Sequence, residues 1–212
     1  MITTKENNMK FRHTVLFASL LIVSLPALAD QKTGAAVPAA AQTQKFNIDN
    51  NHTQVSFTYD HFGFSNPTAR LEQIKGSIEL NQKDWGKSSV IVTMPLAGLH
   101  TGVEKLDTHL KSADFFDAEK NPDITFKSTK VEKTGEQSLK VTGDLTAHGV
   151  TKPVTLDVKI NKIGENKMMQ TQTAGFDADT SLKRSDWGVG AYVPGVSDEV
   201  KVHITVSADL AK

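Results

Sequence analysis

Cysteine is absent from the 212 residues of the chain, and neither sign of charge is in excess, with 24 basic and 24 acidic side chains. The absence of cysteine excludes disulfide scaffolds, thiolate zinc sites, iron–sulfur clusters and cysteine nucleophiles. A nucleic-acid-binding protein normally carries a basic excess that neutralises phosphates, so the even charge argues against that class. With 38% hydrophobic and 23% charged residues, the composition instead indicates a globular domain.

The N-terminal hydrophobic run is too short to cross a bilayer as a helix. It extends over 11 residues, Val15–Leu25, whereas a spanning helix needs roughly 20. Two basic residues precede the run, and the small-residue site Ala27-Leu28-Ala29 follows it, which is the pattern of a cleavable secretory signal. We therefore predict that residues 1–29 are a signal peptide, with either Met1 or Met9 as the true start.

The segment after this signal has almost no large hydrophobic side chain. Residues 30–44 consist mainly of Ala, Gln, Thr, Pro and Gly, which cannot bury enough apolar surface to fold. We predict a flexible lead over these residues. The folded domain then spans residues 45–212, which is long enough for one sizeable hydrophobic core.

Hydrophobic and polar side chains alternate through most of the predicted domain. Such alternation is typical of antiparallel strands that have one buried face and one wet face. Eight segments alternate or are rich in β-branched residues: 55–59, 74–80, 89–94, 124–126, 139–145, 154–160, 174–178 and 200–208. Phe46–Ile48 is a candidate ninth strand.

One segment follows the helical period instead. Val103, Leu106 and Leu110 are spaced three and four residues apart, and Thr101 with Glu104 forms a capping-box pattern. A sheet of eight strands hides its edges completely when it closes on itself. We therefore predict an all-β fold, a single closed antiparallel β-barrel of about eight strands with one short helix near a barrel mouth. A two-sheet sandwich is the alternative.

Catalytic and metal-binding motifs are missing. The histidines of the predicted domain have no spacing typical of a zinc site, and there is no nucleophile elbow, Walker loop or dinucleotide-binding turn. We therefore expect no metal, no cofactor and no catalytic residue.

The interior of an eight-stranded barrel either fills with side chains or holds one small ligand. Gly76, Gly143, Ala174 and Ala178 are small residues at predicted inward positions, and they would leave room for an apolar ligand. Each buried CH₂ group contributes about 0.8 kcal/mol, so a long thin lipid could bind without polar contacts. In the alternative, the core is packed and the glycines form bends and bulges.

Motifs along the whole predicted domain resemble one known family. They are Phe46-Asn47-Ile48-Asp49, Asp107-Thr108-His109-Leu110, Ser112–Asp117, Asn121–Phe126, His148–Thr151 and Lys183–Gly188. In this order, over residues 46–210, they resemble the YceI-like family of bacterial periplasmic lipid-binding proteins. Two positions depart from the family pattern: Leu106 stands where Arg is common, and Trp187 stands where Phe is common.

The resemblance implies a lipocalin-like barrel that holds a polyisoprenoid or another long-chain amphiphile in an apolar tunnel, without catalytic activity. It also implies a periplasmic location. Family members often neighbour or fuse to cytochrome b561-type membrane proteins. The resemblance therefore makes an isoprenoid quinone one expected ligand, beside a fatty-acyl lipid, and such a cytochrome one expected partner. Pairing of two copies through an exposed apolar mouth is a further expectation.

From the alternation and the resemblance together we expect twelve side chains to contact the lipid: Val55, Phe57, Tyr59, Phe62, Phe64, Phe115, Phe116, Phe126, Leu145, Leu156, Phe176 and Trp187. Four polar residues are candidates for contact with its head group: His61, Asp107, His109 and Arg184. For Arg184 the alternative is a surface ion pair with Asp186 or Asp177. Two other functions remain open, an enzyme that uses the set Asp107, His109 and Arg184, and a module that binds a membrane cytochrome through its outer face.

Overall fold

The alternating segments form strands in the computed structural model of the protein, which describes residues 42–212. The predicted signal peptide, residues 1–29, and residues 30–41 of the predicted lead lie outside the described residues. Within residues 42–212 there are eleven strands and one α-helix: β1 Gln44–Ile48, β2 Gln54–Thr58, β3 Thr68–Leu71, β4 Lys75–Leu80, β5 Ser89–Pro95, β6 Leu99–His100, α1 Glu104–Lys111, β7 Asp123–Lys133, β8 Ser138–Ala147, β9 Val150–Asn166, β10 Thr171–Lys183 and β11 Glu199–Leu210. Short 3₁₀-helices span Trp85–Lys87, Leu96–Gly98 and Arg184–Trp187.

Eight of these strands close into a ring. They pair antiparallel in the order β1, β4, β5, β7, β8, β9, β10 and β11, and β11 returns to pair with β1. Phe46 lies opposite Leu210 at this closure. The prediction of a single closed antiparallel barrel of about eight strands is confirmed, and the sandwich alternative is excluded.

Strand β11 holds two short strands on one side. Its C-terminal residues pair with β1, and its segment Lys201–Thr205 pairs with β2, so β1 and β2 act as two halves of one interrupted strand. Strands β3 and β6 extend the wall beyond β2. The sequence did not predict β3 or β6, which are only four and two residues long. We call the end of the barrel that carries β6 and α1 the helix end, and the opposite end, with Trp85, the Trp85 end.

Glycines at the inward positions allow close packing between strands. An added Cβ atom on Gly143 would lie 2.5 Å from the Phe126 ring and from the Lys127 carbonyl oxygen. An added Cβ atom on Gly76 would collide with the backbone of Ile91. The space beside both glycines is already filled, so the prediction that they leave room for a ligand is wrong.

Helix α1 begins at Glu104 without the predicted capping box. The Asp107 carboxylate, instead of Glu104, accepts from the backbone N–H of Thr101 at 2.7 Å and from its hydroxyl at 2.5 Å. The Thr101 hydroxyl oxygen accepts from the N–H of Val103 at 3.1 Å. Asp107 reaches Thr101 because the chain turns back at Gly102, whose φ is +85°. Asp107 therefore anchors the helix to the preceding turn. None of the helices within residues 42–212 has both the length and the hydrophobicity needed to span a membrane.

Candidate functional site

The barrel encloses an apolar cavity of about 530 Å³. It reaches from Trp85 at one end to His109 and Tyr192 at the helix end, so it runs along the barrel axis. All eight ring strands contribute inward side chains to its wall, most of them aliphatic or aromatic. The inward hydrophobic side chains of the alternating strands thus form the wall of a cavity as well as a packed core.

The structure places eleven of the twelve predicted lipid contacts on this wall. They are Val55, Phe57, Tyr59, Phe62, Phe115, Phe116, Phe126, Leu145, Leu156, Phe176 and Trp187. Phe64 lies elsewhere: its side chain is 91% exposed and is not part of the wall. Phe64 follows a tight turn in which its N–H donates to the His61 carbonyl at 3.0 Å, and this turn directs the chain outward.

Aromatic rings gather where α1 meets the cavity. The His109 ring stacks edge-on against Phe115, with centroids 5.0 Å apart, and Tyr192 lies 6.2 Å from His109. Leu106 and Leu110 of the same helix also line the wall. The helical spacing of Leu106, His109 and Leu110 therefore places these side chains on one face of α1, and this face lies at the helix end of the cavity.

Two segments, which we call the mouth loops, complete the helix end: residues 59–67 and residues 188–198. A bridge between His61 and Val196 joins the two loops, and a second bridge, between His61 and Ser65, closes the first loop on itself. The Phe62 N–H donates to the Gly195 carbonyl at 2.8 Å, and the Phe62 side chain remains half exposed. Because Phe62 also lines the cavity, the interior meets the surface at these loops.

Arg184 organises the second mouth loop. Its Nε donates to the Ser197 carbonyl at 2.8 Å, and Nη1 donates to the Val189 carbonyl at 2.6 Å. Both terminal nitrogens also contact the Ala191 carbonyl at 3.3 Å, and Nη2 donates to the Val196 carbonyl at 3.1 Å. The planar guanidinium is thus surrounded by backbone carbonyls from one loop.

The alternative ion pair of Arg184 does not form. Asp186 pairs with Lys152 at 2.9 Å, and Asp177 accepts from the Thr205 hydroxyl at 3.0 Å. Burial lowers the pKa of the Arg184 guanidinium, an effect that the nearby Asp198 opposes. Arg184 is therefore a partly buried cation that is bound mainly by neutral oxygens.

Tyr59 presents a free hydroxyl to the cavity. Burial raises the pKa of this phenol, and the nearby Arg184 opposes the rise. The hydroxyl has no hydrogen-bond partner among residues 42–212, although the backbone N–H of Tyr59 donates to the Pro67 carbonyl. An unpaired polar group on an apolar wall can fix the orientation of a ligand.

Asp107 lies off the cavity wall, whereas the other three head-group candidates, His61, His109 and Arg184, line it. Besides Thr101, it contacts Nδ1 of His100 at 3.0 Å, and the hydrogen bond from Thr101 is the main reason that the pKa of Asp107 is lowered. His109 has a different acidic neighbour, Asp114, at 3.7 Å. No group of three or more His, Cys, Asp or Glu residues that could hold a metal occurs in the described part of the chain.

Sequence reasoning missed Tyr192 and Trp85 as wall residues. Tyr192 lies in a loop with no hydrophobic period, at a φ of +66°. Trp85 lies in a segment with turn residues, and its ring is 5.5 Å from the ammonium nitrogen of Lys133. One sequence signal could have identified both as wall residues: each is a bulky aromatic residue inside a turn or loop, and exposing such a ring to water is costly.

A closed antiparallel barrel of eight strands around an axial apolar cavity defines the class of this protein. Residues 46–208 match the model of the YceI-like domain, and the chain belongs to the YceI-like family. The expectation from the sequence motifs is thereby confirmed.

Relatives and solved structures agree with this assignment. The chain is 36% identical over 175 residues to a UPF0312 protein of Serratia proteamaculans, which covers 82% of this chain and 90% of that protein. It is similar to the crystal structure of the Campylobacter jejuni YCEI protein, with a TM-score of 0.66 and 30% identity over 72% of this chain and 90% of that one. A polyisoprenoid binding domain from Saccharophagus degradans has a TM-score of 0.63 at 14% identity, covering 80% of this chain and all of its own, and shows the shared fold alone.

Proposed function

We propose that the protein is a non-enzymatic carrier that holds a polyisoprenoid or another long-chain amphiphilic lipid in its barrel. The apolar axial cavity is the observation that supports this proposal. Its volume of about 530 Å³ is typical of a site for one small ligand. The wall from Trp85 to Tyr192 suits an extended hydrocarbon tail.

The hydrophobic effect would supply the affinity. A strand of the length of β7, 11 residues, extends about 35 Å at a rise of roughly 3.3 Å per residue, and somewhat less along a tilted barrel axis. A tail of about ten CH₂ groups buried in this space would contribute roughly 8 kcal/mol before the entropic cost of binding.

The family relationship supports the ligand class. A solved domain with the same fold is named as a polyisoprenoid binding domain. We include an isoprenoid quinone and a fatty-acyl lipid among the proposed ligands. We also include export to the periplasm with removal of residues 1–29, a cytochrome b561-type membrane partner, and homodimerisation through the mouth.

An enzyme is less well supported. Of the polar set that would carry catalysis, Asp107 lies off the cavity and contacts Thr101 and His100, and Arg184 is bound by loop carbonyls. A module that acts only through its outer face would not need an axial cavity.

Native mass spectrometry of protein purified from a periplasm tests the carrier function. We expect a bound long-chain lipid, or uptake of one lipid per chain when it is added. In the variant Ala178→Leu, the larger side chain would project into the cavity and should lower uptake about tenfold. Ser181→Leu on the same strand points outward and is the matched control. Only lipid-free protein, with no uptake at all, would exclude the carrier function.

A further inference from the structure

The cavity wall carries almost no ionic charge. Arg184 is the only Lys, Arg, Asp or Glu side chain on the wall among residues 42–212. A phosphate, diphosphate or carboxylate head group that leaves water needs a cation or several charge-assisted hydrogen bonds in return. Whether the cavity accepts an anionic lipid therefore depends on whether Arg184 is available.

Arg184 is already fully engaged. A guanidinium has five N–H groups, and the three nitrogens of Arg184 make five hydrogen bonds to the carbonyls of Val189, Ala191, Val196 and Ser197. Turning the guanidinium toward a ligand would leave these carbonyls without their donor, and each loss is costly when the group is shielded from water.

Two lysines near the helix end, Lys111 and Lys152, are engaged as well. The Lys111 ammonium donates to the Ala97 carbonyl at 3.3 Å, and Lys152 pairs with Asp186. No lysine among residues 42–212 lines the cavity. An anionic head group would therefore meet no free lysine on the wall.

A neutral hydrogen-bonding group does face the cavity at this end. The Tyr59 hydroxyl has no partner among the described residues and lies close enough to Arg184 for the cation to act on its pKa. Because burial raises the pKa of this phenol, Tyr59 keeps its proton and can donate it. The rings of His61 and His109 line the same end and add further hydrogen-bonding nitrogens.

We propose that the cavity selects lipids with an uncharged head group, such as an alcohol, ketone or amide, whose oxygen accepts a hydrogen bond from Tyr59. Lipids with a phosphate, diphosphate or carboxylate head group are discriminated against. This inference rests on the proposed lipid-carrier function and assigns the ligand class of the same cavity.

A pair of ligands with identical tails tests the selection. Geranylgeraniol and geranylgeranyl diphosphate differ only in the head group. Both tryptophans of the chain, Trp85 and Trp187, line the cavity, so quenching of their fluorescence reports binding. We expect the alcohol to bind at least about tenfold more tightly at pH 8, where an ordinary histidine is uncharged.

The variant Tyr59→Phe tests whether the Tyr59 hydroxyl binds the head group. It should weaken binding of the alcohol by about threefold to tenfold and leave binding of a hydrocarbon of the same length unchanged, because only the alcohol uses the hydroxyl. Ser181→Ala, on the outer face of β10, is the matched control and should change neither. Unchanged binding of the alcohol to Tyr59→Phe would overturn the assignment of Tyr59.

The outcomes separate this inference from the function on which it rests. Equal or tighter binding of the diphosphate would overturn the selection for uncharged heads and leave the carrier function standing. Failure of the alcohol, the diphosphate and the hydrocarbon alike to bind would overturn both.

Discussion

The indole N–H of Trp187 donates to the backbone carbonyl of Leu145 at 3.2 Å and joins the 3₁₀-helix after β10 to strand β8. The Trp187 ring is buried and lines the cavity. The residue that departs from the family pattern therefore brings a donor, and the fold supplies an acceptor for it. This contact holds the base of the second mouth loop against the barrel wall.

Replacing Trp187 by Phe should lower the free energy of unfolding by about 1 kcal/mol, because the ring stays apolar but the hydrogen bond is lost. Urea unfolding followed by circular dichroism measures the change. Trp85→Phe is the control, since the Trp85 indole has no hydrogen-bond partner in residues 42–212 and its loss should cost less. Equal losses in the two variants would contradict the role of the Leu145 contact.

Gly143→Ala should destabilise the barrel by about 1–3 kcal/mol, because the new methyl group would overlap the Phe126 ring and the Lys127 carbonyl. Gly164→Ala makes the same chemical change where the nearest atom is 3.9 Å away, on the Lys162 side chain, and should be nearly neutral. Thermal and urea unfolding of both variants provide the comparison. A stable Gly143→Ala variant would show that the strands can separate there at little cost.

Arg184→Lys should loosen residues 188–198, because an ammonium group cannot reach four carbonyls in the geometry of a guanidinium. The loss of several hydrogen bonds predicts a decrease of at least about 2 kcal/mol in the free energy of unfolding. Limited proteolysis should show cleavage within this loop. Lys183→Arg on the exposed neighbouring position is the control. An unchanged cleavage pattern in Arg184→Lys would mean that the carbonyl contacts do not hold the loop.

Acidification should weaken the attachment of α1 through Asp107. The pKa of Asp107 in the folded protein lies below its ordinary value of 3.8, chiefly because Thr101 donates to the carboxylate. The unfolded chain therefore takes up this proton first, so the stabilisation is complete above pH 3.8 and is lost as the pH falls through the folded pKa.

Asp107→Asn should accordingly be less stable than the natural protein at neutral pH, and the difference should shrink below pH 3.8. Urea unfolding at pH 7 and pH 3 measures both quantities. The exposed Asp114→Asn is the control and should change the free energy of unfolding little at either pH. A difference between Asp107→Asn and the natural protein that does not depend on pH would argue against the Thr101 contact as its cause.

The closed barrel was predictable because one buried face imposes strict alternation on each long strand. In β11, for example, the alternation continues over most of Glu199–Leu210. The short strands β3 and β6 were not predictable, because two to four residues are too few to show a period. Their position depends on β2, which lies far from β6 in the sequence.

The apolar wall was also predictable, since inward positions follow directly from the alternation. The role of Arg184 was not, because its five hydrogen bonds go to backbone carbonyls, which every residue has and no side-chain pattern reveals. Gly143 was misread for a related reason. Its missing side chain is visible in the sequence, but the Phe126 ring that fills the space comes from the neighbouring strand.

Phe46 in β1 lies opposite Leu210 in β11, so the ring has no closure until its last strand is present. Contacts of such long sequence separation form late and slowly during folding. A chain emerging from the ribosome would therefore remain an open sheet until its final strand is made.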